Sequence, residues 1–260
     1  MLTRVRIPPL IVVLFAIDLA IGLAYVLNYL AGRPYRPLSL LLDLNGECNL
    51  PSWYSSVQWF GVAALLGLFA HRNFDRSSPR SWLLIVMALV FLGFSFDEIV
   101  QIHEAVGKRT DALLPGGTRQ DTVFSHTGIW MFVLGIPFVV FFVWLTLSTR
   151  IYFQRAPRAL VKLLAGTGIF LAAAIGIEAL SNLVTPGSGY DVLENFLEEG
   201  LEMVGSTIAL WGSYEVLCKD GFSFGLDRAG TNSSALPHGE RQPLGAASSP
   251  VSSAGLPGES

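Results

Sequence analysis

Long apolar segments are the feature that most restricts the fold of this chain. A segment needs about 20 residues to cross about 30 Å of hydrocarbon as an α-helix. Segments of that length occur about six times, roughly at residues 9–30, 53–71, 82–103, 127–148, 160–182 and 192–217. Because lipid cannot satisfy backbone hydrogen bonds, each segment must form them internally. The sequence therefore predicts an all-α, polytopic membrane bundle of about six transmembrane helices.

The composition agrees with a membrane protein and argues against some partners. Only 14% of the 260 residues are charged, against about one quarter in soluble domains. The net charge is −3 and no basic patch with interleaved aromatic residues is present, which argues against a nucleic-acid partner. Membrane lipids are the partner that this composition predicts, and protein partners stay unknown.

Basic residues are distributed unequally between the two sides of the predicted bundle. Twelve of the 17 Lys and Arg residues fall on the side of the N-terminus. Connecting segments rich in basic residues usually stay in the cytoplasm. We therefore predict a multi-pass protein of the cell membrane with both its N- and C-termini in the cytoplasm.

The chain divides into two regions by composition. Residues 1–218 contain all the predicted spans, whereas residues 219–260 are rich in Gly, Ser and Pro. A segment of that second kind buries too little apolar surface to offset the entropy of ordering it. We expect a six-helix transmembrane domain followed by a disordered cytoplasmic tail.

Acidic residues gather where three predicted spans reach the outer side. The third span ends in "SFDEIVQIHE". At about 100° per residue, a continuous helix places Asp97, Gln101 and Glu104 on one face. Glu98 then lies on the flank of that face, and His103 projects to the other side.

Two further acidic stripes occur at a similar depth. Glu178 lies in the otherwise apolar stretch "AAAIGIEALSN" of the fifth span, and "ENFLEEGLEM" aligns Glu194, Glu198 and Glu202 on the sixth, with Glu199 beside them. Ionisable groups within a membrane almost always face the bundle interior, because contact with lipid is energetically costly. We therefore expect the three stripes to meet.

Crowded carboxylates in a medium of low dielectric must be protonated or neutralised by a cation. No predicted span supplies an interior Lys or Arg, so a divalent metal is the simplest counter-charge, and zinc, iron and manganese all suit such donors. The spacing of Glu98 and His103 departs from the Glu-x-x-His pairs of di-iron bundles. The predicted metal ligands are Asp97, His103, Glu178, Glu198 and Glu202, and the predicted catalytic carboxylates are Glu98 and Glu104.

Three classes of function fit this pattern. The first is a metal-dependent enzyme acting on a lipid or another apolar substrate. The second is a cation or proton translocator, or a sensor, and the third is a structural subunit with a buried polar network. Asp18 in the first span is expected to bond a neighbouring helix, and a role for Asp18 or His126 in the site stays open.

Three segments carry a resemblance to a known group of proteins: "DLNGECNLPSWYSS", "FDEIVQIHE" and "LEEGLEM". They resemble a family of uncharacterised bacterial multi-pass membrane proteins with an Asp-Gly-Glu-x-Asn-x-Pro-x-Trp loop, an Asp-Glu…His-Glu helix end and a Glu-Glu-x-x-Glu helix. This chain has Asn45 where that loop usually has Asp. The resemblance implies a bacterial cytoplasmic membrane and no established activity.

The predicted orientation is tested with a reporter fused after Lys219. An enzyme that is active only in the cytoplasm should be active in this fusion, because six spans return the chain to the side of its basic residues. Activity of a periplasmic reporter at the same position would contradict the predicted topology.

Overall fold

The computed structural model describes residues 7–46, 48–119, 122, 128–183 and 189–222. The described chain is helical and contains no strand, so the predicted all-α bundle is confirmed. Its first half comprises α1 (Pro9–Leu30), α2 (Arg36–Leu41), α3 (Leu50–Arg72), α4 (Pro79–Val100) and α5 (Ile102–Thr110). Its second half comprises α6 (Ile136–Thr149), α7 (Pro157–Leu171), α8 (Glu178–Ser181) and α9 (Gly189–Lys219).

Two of these helices are extended by wider π turns. Met131–Gly135 precedes α6 directly, and Ala172–Ile177 joins α7 to α8. Each combination forms one long segment, Met131–Phe153 and Pro157–Ser181. A π turn changes the helical phase of the residues that follow it.

Five of the expected spans are helices long and apolar enough to cross a membrane. They are α1, α3, α4 and the segments Met131–Phe153 and Pro157–Ser181. The sixth expected span corresponds to α9, whose 31 residues extend about 46 Å at about 1.5 Å per residue. This helix is more polar, and its role as a sixth span stays a prediction.

The packing of α9 explains its polarity. It contacts α1, α3 and α7, so most of its surface faces other helices and not lipid. Ser206, Thr207 and Ser213 are therefore fully buried within the bundle. A helix enclosed in this way does not need the uniformly apolar surface of a helix exposed to lipid.

Aromatic packing joins α3 to the helices around it. Trp59 is completely buried and stacks on Phe91 with ring centroids 5.6 Å apart. Phe94 and Phe170 contact the same indole edge-on, at 5.1 and 4.8 Å. The core of the bundle therefore lies between α3, α4 and α7.

Glycine residues allow α7 and α9 to meet backbone to backbone. A Cβ added to Gly166 would overlap the backbone of Gly205 and Ala209, and one added to Gly212 would overlap that of Leu163. Small residues of this kind are how transmembrane helices approach closely. The two helices run antiparallel, since Gly212 lies opposite the earlier residue Leu163.

The end of the described chain lies slightly beyond the expected domain boundary at residue 218. Asp220 accepts a hydrogen bond of 3.0 Å from Nε of Arg72 and another of 3.2 Å from the side chain of Asn73. Residues 223–260, which hold most of the predicted tail, lie outside the described residues.

The glycine contact yields a paired test of stability. Gly166→Ala should destabilise the protein by about 1–3 kcal/mol, because its new Cβ meets immobile backbone. Gly168→Ala is the matched control, since a Cβ there meets nothing within 4 Å. Unfolding in mixed detergent micelles measures both, and equal stabilities for the two variants would contradict the close approach of α7 and α9.

Candidate functional site

A break in the helix after Val100 shapes the first part of the site. Gln101 adopts a left-handed conformation, with φ 58° and ψ 45°, and a new helix begins at Ile102. The expected continuous span through residue 103 is therefore wrong, as is the expected direction of His103. The break instead places His103 against Asp97 near the end of α4.

Asp97 holds His103 through two hydrogen bonds. The backbone N–H of His103 donates to Oδ1 of Asp97 at 3.0 Å, and the ring Nδ1 lies 2.7 Å from Oδ2. The Asp97 carboxylate therefore fixes both the position and the orientation of the imidazole ring. Each side chain is about one-third exposed, at 32% for Asp97 and 27% for His103.

Trp130 connects this pair to Glu178. Its indole N–H donates to Oε1 of Glu178 at 3.1 Å, and its ring lies 5.2 Å from the ring of His103. Trp130 directly precedes one π turn and Glu178 directly follows the other. The turns also touch, because a Cβ on Gly135 would lie 3.2 Å from Cδ1 of Ile175. The π turns thus determine where both side chains point.

The acids of α9 complete the cluster. Glu198 lies close to Glu194 and in electrostatic range of Glu178 and Glu199. Two carboxyl groups that approach each other repel unless one of them carries a proton or a cation lies beside them. Glu202 lies one turn further along α9 and is in electrostatic range of Glu178, Glu198 and Glu199. A shared proton or a bound cation would relieve this repulsion.

Glu98 and Glu104 approach the cluster from α4 and α5. Glu98 accepts a hydrogen bond of 3.0 Å from Ser55 and interacts electrostatically with Glu202. Glu104 pairs with Lys108 at 2.7 Å and interacts with Glu178. Hydrogen bonds and longer-range electrostatic interactions thus link all seven residues that the sequence singles out: Asp97, Glu98, His103, Glu104, Glu178, Glu198 and Glu202.

Neutralisation of these acids is incomplete in the described part of the chain. Among those residues, no Lys or Arg forms an ion pair with Glu178, Glu198 or Glu202. Nor does the described chain arrange any three His, Cys, Asp or Glu side chains closely enough to hold a metal ion. Protons shared between the carboxyl groups, or a bound cation, would supply the missing neutralising charge.

A second polar cluster surrounds Asp18, which is only 4% exposed. Its carboxylate accepts hydrogen bonds from Tyr54 at 2.8 Å and from Thr207 at 2.9 Å. The side-chain amide of Gln58 donates to Tyr54 and Thr207, and Ser206 donates to the side-chain oxygen of Gln58. Asp18 therefore bonds α1 to α3 and α9, as the sequence leads us to expect, and Thr207 lies about 7.5 Å along α9 from Glu202.

The loop before α3 caps that helix. The Asn49 side chain caps α3 by accepting from the N–H of Ser52 at 3.2 Å, and it donates to the backbone of Asp43 and Gly46. Glu47 and His126 lie outside the described residues.

Sequence reasoning missed Ser55 and Trp130 as partners of the acids. Ser55 belongs to "WYSSVQ", in which Ser55 and Gln58 share one helix face. That polar face on an apolar span was a usable signal. Trp130 gave none, because its position depends on two π turns that no sequence pattern marks.

Comparison with known proteins identifies the family. The sequence model of a family described as a domain of unknown function, DUF8692, matches residues 10–218. The chain belongs to that family. Neither the comparison with curated proteins nor that with solved structures found a match. The DUF8692 match covers the whole carboxylate–histidine cluster and ends before the region of the predicted tail.

The tautomer of the His103 imidazole tests the Asp97–His103 pairing in this DUF8692 member. Nitrogen-15 NMR of histidine-labelled protein in bilayers should show His103 carrying its proton on Nδ1, because Asp97 accepts there. In Asp97→Ala the Nε2–H form should gain population. An unchanged His103 spectrum in Asp97→Ala would contradict the pairing.

Proposed function

We propose that the carboxylate–histidine cluster is the site of a metal-dependent membrane enzyme that acts on a lipid or another apolar substrate. The observation that carries this proposal is the meeting of Glu178, Glu198 and Glu202 without a bonded Lys or Arg among the described residues. Carboxylates packed in that way favour a bound cation, because it removes their mutual repulsion.

The available donors define which metal suits the site. His103 and the carboxylates of Glu178, Glu198 and Glu202 would hold the ion after drawing closer together, since no three such side chains in the described chain are arranged to hold one. Both oxygens of Asp97 are bonded to His103, so Asp97 would orient this ligand from outside the coordination sphere. A donor set dominated by oxygen favours manganese or iron over zinc.

A metal ion would supply Lewis-acid polarisation of a substrate carbonyl or phosphoryl oxygen. The chain's own contribution is to position the base that moves a proton. Glu98 is oriented for that role by the Ser55 hydroxyl, and Glu104 is hydrogen-bonded by Lys108 one turn along α5. These two carboxylates are the proposed catalytic residues.

The surroundings of the cluster support an apolar substrate. Phe96 and Ile99 on α4 are 61% and 38% exposed, and Leu180 on α8 is 57% exposed. Exposed apolar side chains beside partly exposed acids let a lipid reach the site directly from the bilayer. A soluble polar substrate would gain nothing from those contacts.

A cation or proton translocator is the second candidate, and the Asp18 cluster favours it. That cluster extends polar groups further along α9 from Glu202. The next acidic group on α9, Glu215, is eight residues beyond Thr207, or about 12 Å, and it is already paired with Lys162. This gap favours the enzyme. The two proposals differ over Asp18, which only translocation requires for function.

Glu178→Gln tests the metal proposal. Wild-type protein purified without chelators should contain stoichiometric manganese, iron or zinc by elemental analysis. The variant should lose metal and stability together, because it removes one ligand and one of the charges that hold the ion.

Glu215→Gln is the control for this test. It breaks the ion pair with Lys162 and should lower stability, but it should leave the metal content unchanged. Full metal content in Glu178→Gln, or no metal in the wild type under any loading condition, would contradict the proposal.

A further inference from the structure

A cavity separate from the acidic cluster lies between the first turn of α4 and the turn that joins α6 to α7. Its volume is about 380 Å³, and Arg80 and Arg150 line it together with Ser148 and Gln154. No Asp or Glu lines it. The cavity therefore presents two positive charges and several hydrogen-bond donors to whatever occupies it.

The charges of the two arginines are not balanced within the described chain. Neither Arg80 nor Arg150 forms an ion pair with a described carboxylate, in contrast to Arg72, whose Nε lies 3.0 Å from Asp220. Two guanidinium groups around one cavity repel each other unless an anion lies between them. Arg80 also lies in the first turn of α4, where the helix dipole favours negative charge.

The position of the cavity indicates the source of the anion. Arg80 is the second residue of α4, and Arg150 directly follows the last residue of α6. Both therefore lie where membrane helices end, at the level of lipid headgroups. The walls continue into Leu147 and Ile151, which are 57% and 48% exposed.

We propose that this cavity binds the phosphate group of an anionic phospholipid from the surrounding bilayer. Arg80 and Arg150 hold the phosphate through charge-assisted hydrogen bonds, and Ser148 and Gln154 donate further ones. The acyl chains extend along Leu147 and Ile151. Basic pockets between transmembrane helices bind anionic headgroups in this way on the cytoplasmic side, where the distribution of basic residues places this end of the bundle.

A phospholipid fits this cavity better than free phosphate does. Inorganic phosphate would use the arginines and leave the exposed apolar wall of Leu147 and Ile151 without a partner. A lipid fills both parts of the site. The binding function is independent of the chemistry proposed for the acidic cluster, which is formed by other residues.

The test measures phosphatidylglycerol binding to the full chain by native mass spectrometry, with phosphatidylcholine as the neutral reference lipid. Arg80→Gln and Arg150→Gln should each weaken phosphatidylglycerol binding about fivefold. The matched control is Arg158→Gln, because Arg158 is also the exposed second residue of a helix that begins with Pro, but it does not line the cavity.

Two further variants and one competitor make the outcome specific. Arg80→Lys and Arg150→Lys keep the charge but lose bidentate contact, so they should bind more weakly than wild type and more strongly than the Gln variants. Melting temperatures in phosphatidylcholine verify that every variant is folded. Inorganic phosphate should not displace phosphatidylglycerol at equal concentration.

Three results would overturn the proposal. The first is an equal loss of binding in Arg158→Gln, which would indicate a diffuse surface charge. The second is unchanged binding in the double variant Arg80→Gln/Arg150→Gln. The third is displacement of the lipid by inorganic phosphate at equal concentration, which would assign the cavity to free phosphate.

Discussion

The close contact between α7 and α9 is the interaction on which the rest of the bundle depends. Gly166, Gly205 and Gly212 remove the side chains that would hold these helices apart. Because the pair runs antiparallel, moving from Gly166 towards Glu178 on one segment means moving from Gly205 towards Glu198 on the other. The acids of the two helices thus meet as a consequence of the glycine contact.

Buried charges are paired with an opposite charge at one end of the bundle and crowd against like charges at the other. Near one end, Glu215 is paired with Lys162 at 2.5 Å, and the Lys162 ammonium lies 3.6 Å from the centre of the Trp211 ring. Near the other, Glu178 and Glu198 face further carboxyl groups. The paired charges hold α7 and α9 together, whereas the crowded acids cost stability unless protons or a cation neutralise them. A cost of this kind is typical of a functional site.

The sequence predicts the approach of the acidic stripes because the physics behind it is general. Lipid penalises every ionised group that faces it, so Glu178 and the acids of α9 must turn inward. The same reasoning predicts that Asp18 bonds a neighbouring helix. Neither inference needs the detailed path of the backbone.

Details that depend on local backbone conformation could not be predicted. Extrapolating α-helical periodicity through Gln101 gave the wrong direction for His103, because a left-handed residue without glycine carries no sequence signal. The π turn before Glu178 likewise changes the helical phase without a marker. The hydropathy of α9 is also a poor guide to its burial, because its polar residues are hydrogen-bonded to neighbouring helices.

The central claim is that a cation and shared protons compete for one carboxylate cluster, and the number of protons released on metal binding tests it most directly. Manganese is added to metal-free protein in a weakly buffered suspension that contains a pH-sensitive dye. Release of about one proton per bound ion is predicted, because a proton that Glu198 shares with Glu194 must leave when Glu198 binds the metal. Manganese binding without proton release, or no binding at all, would contradict this account.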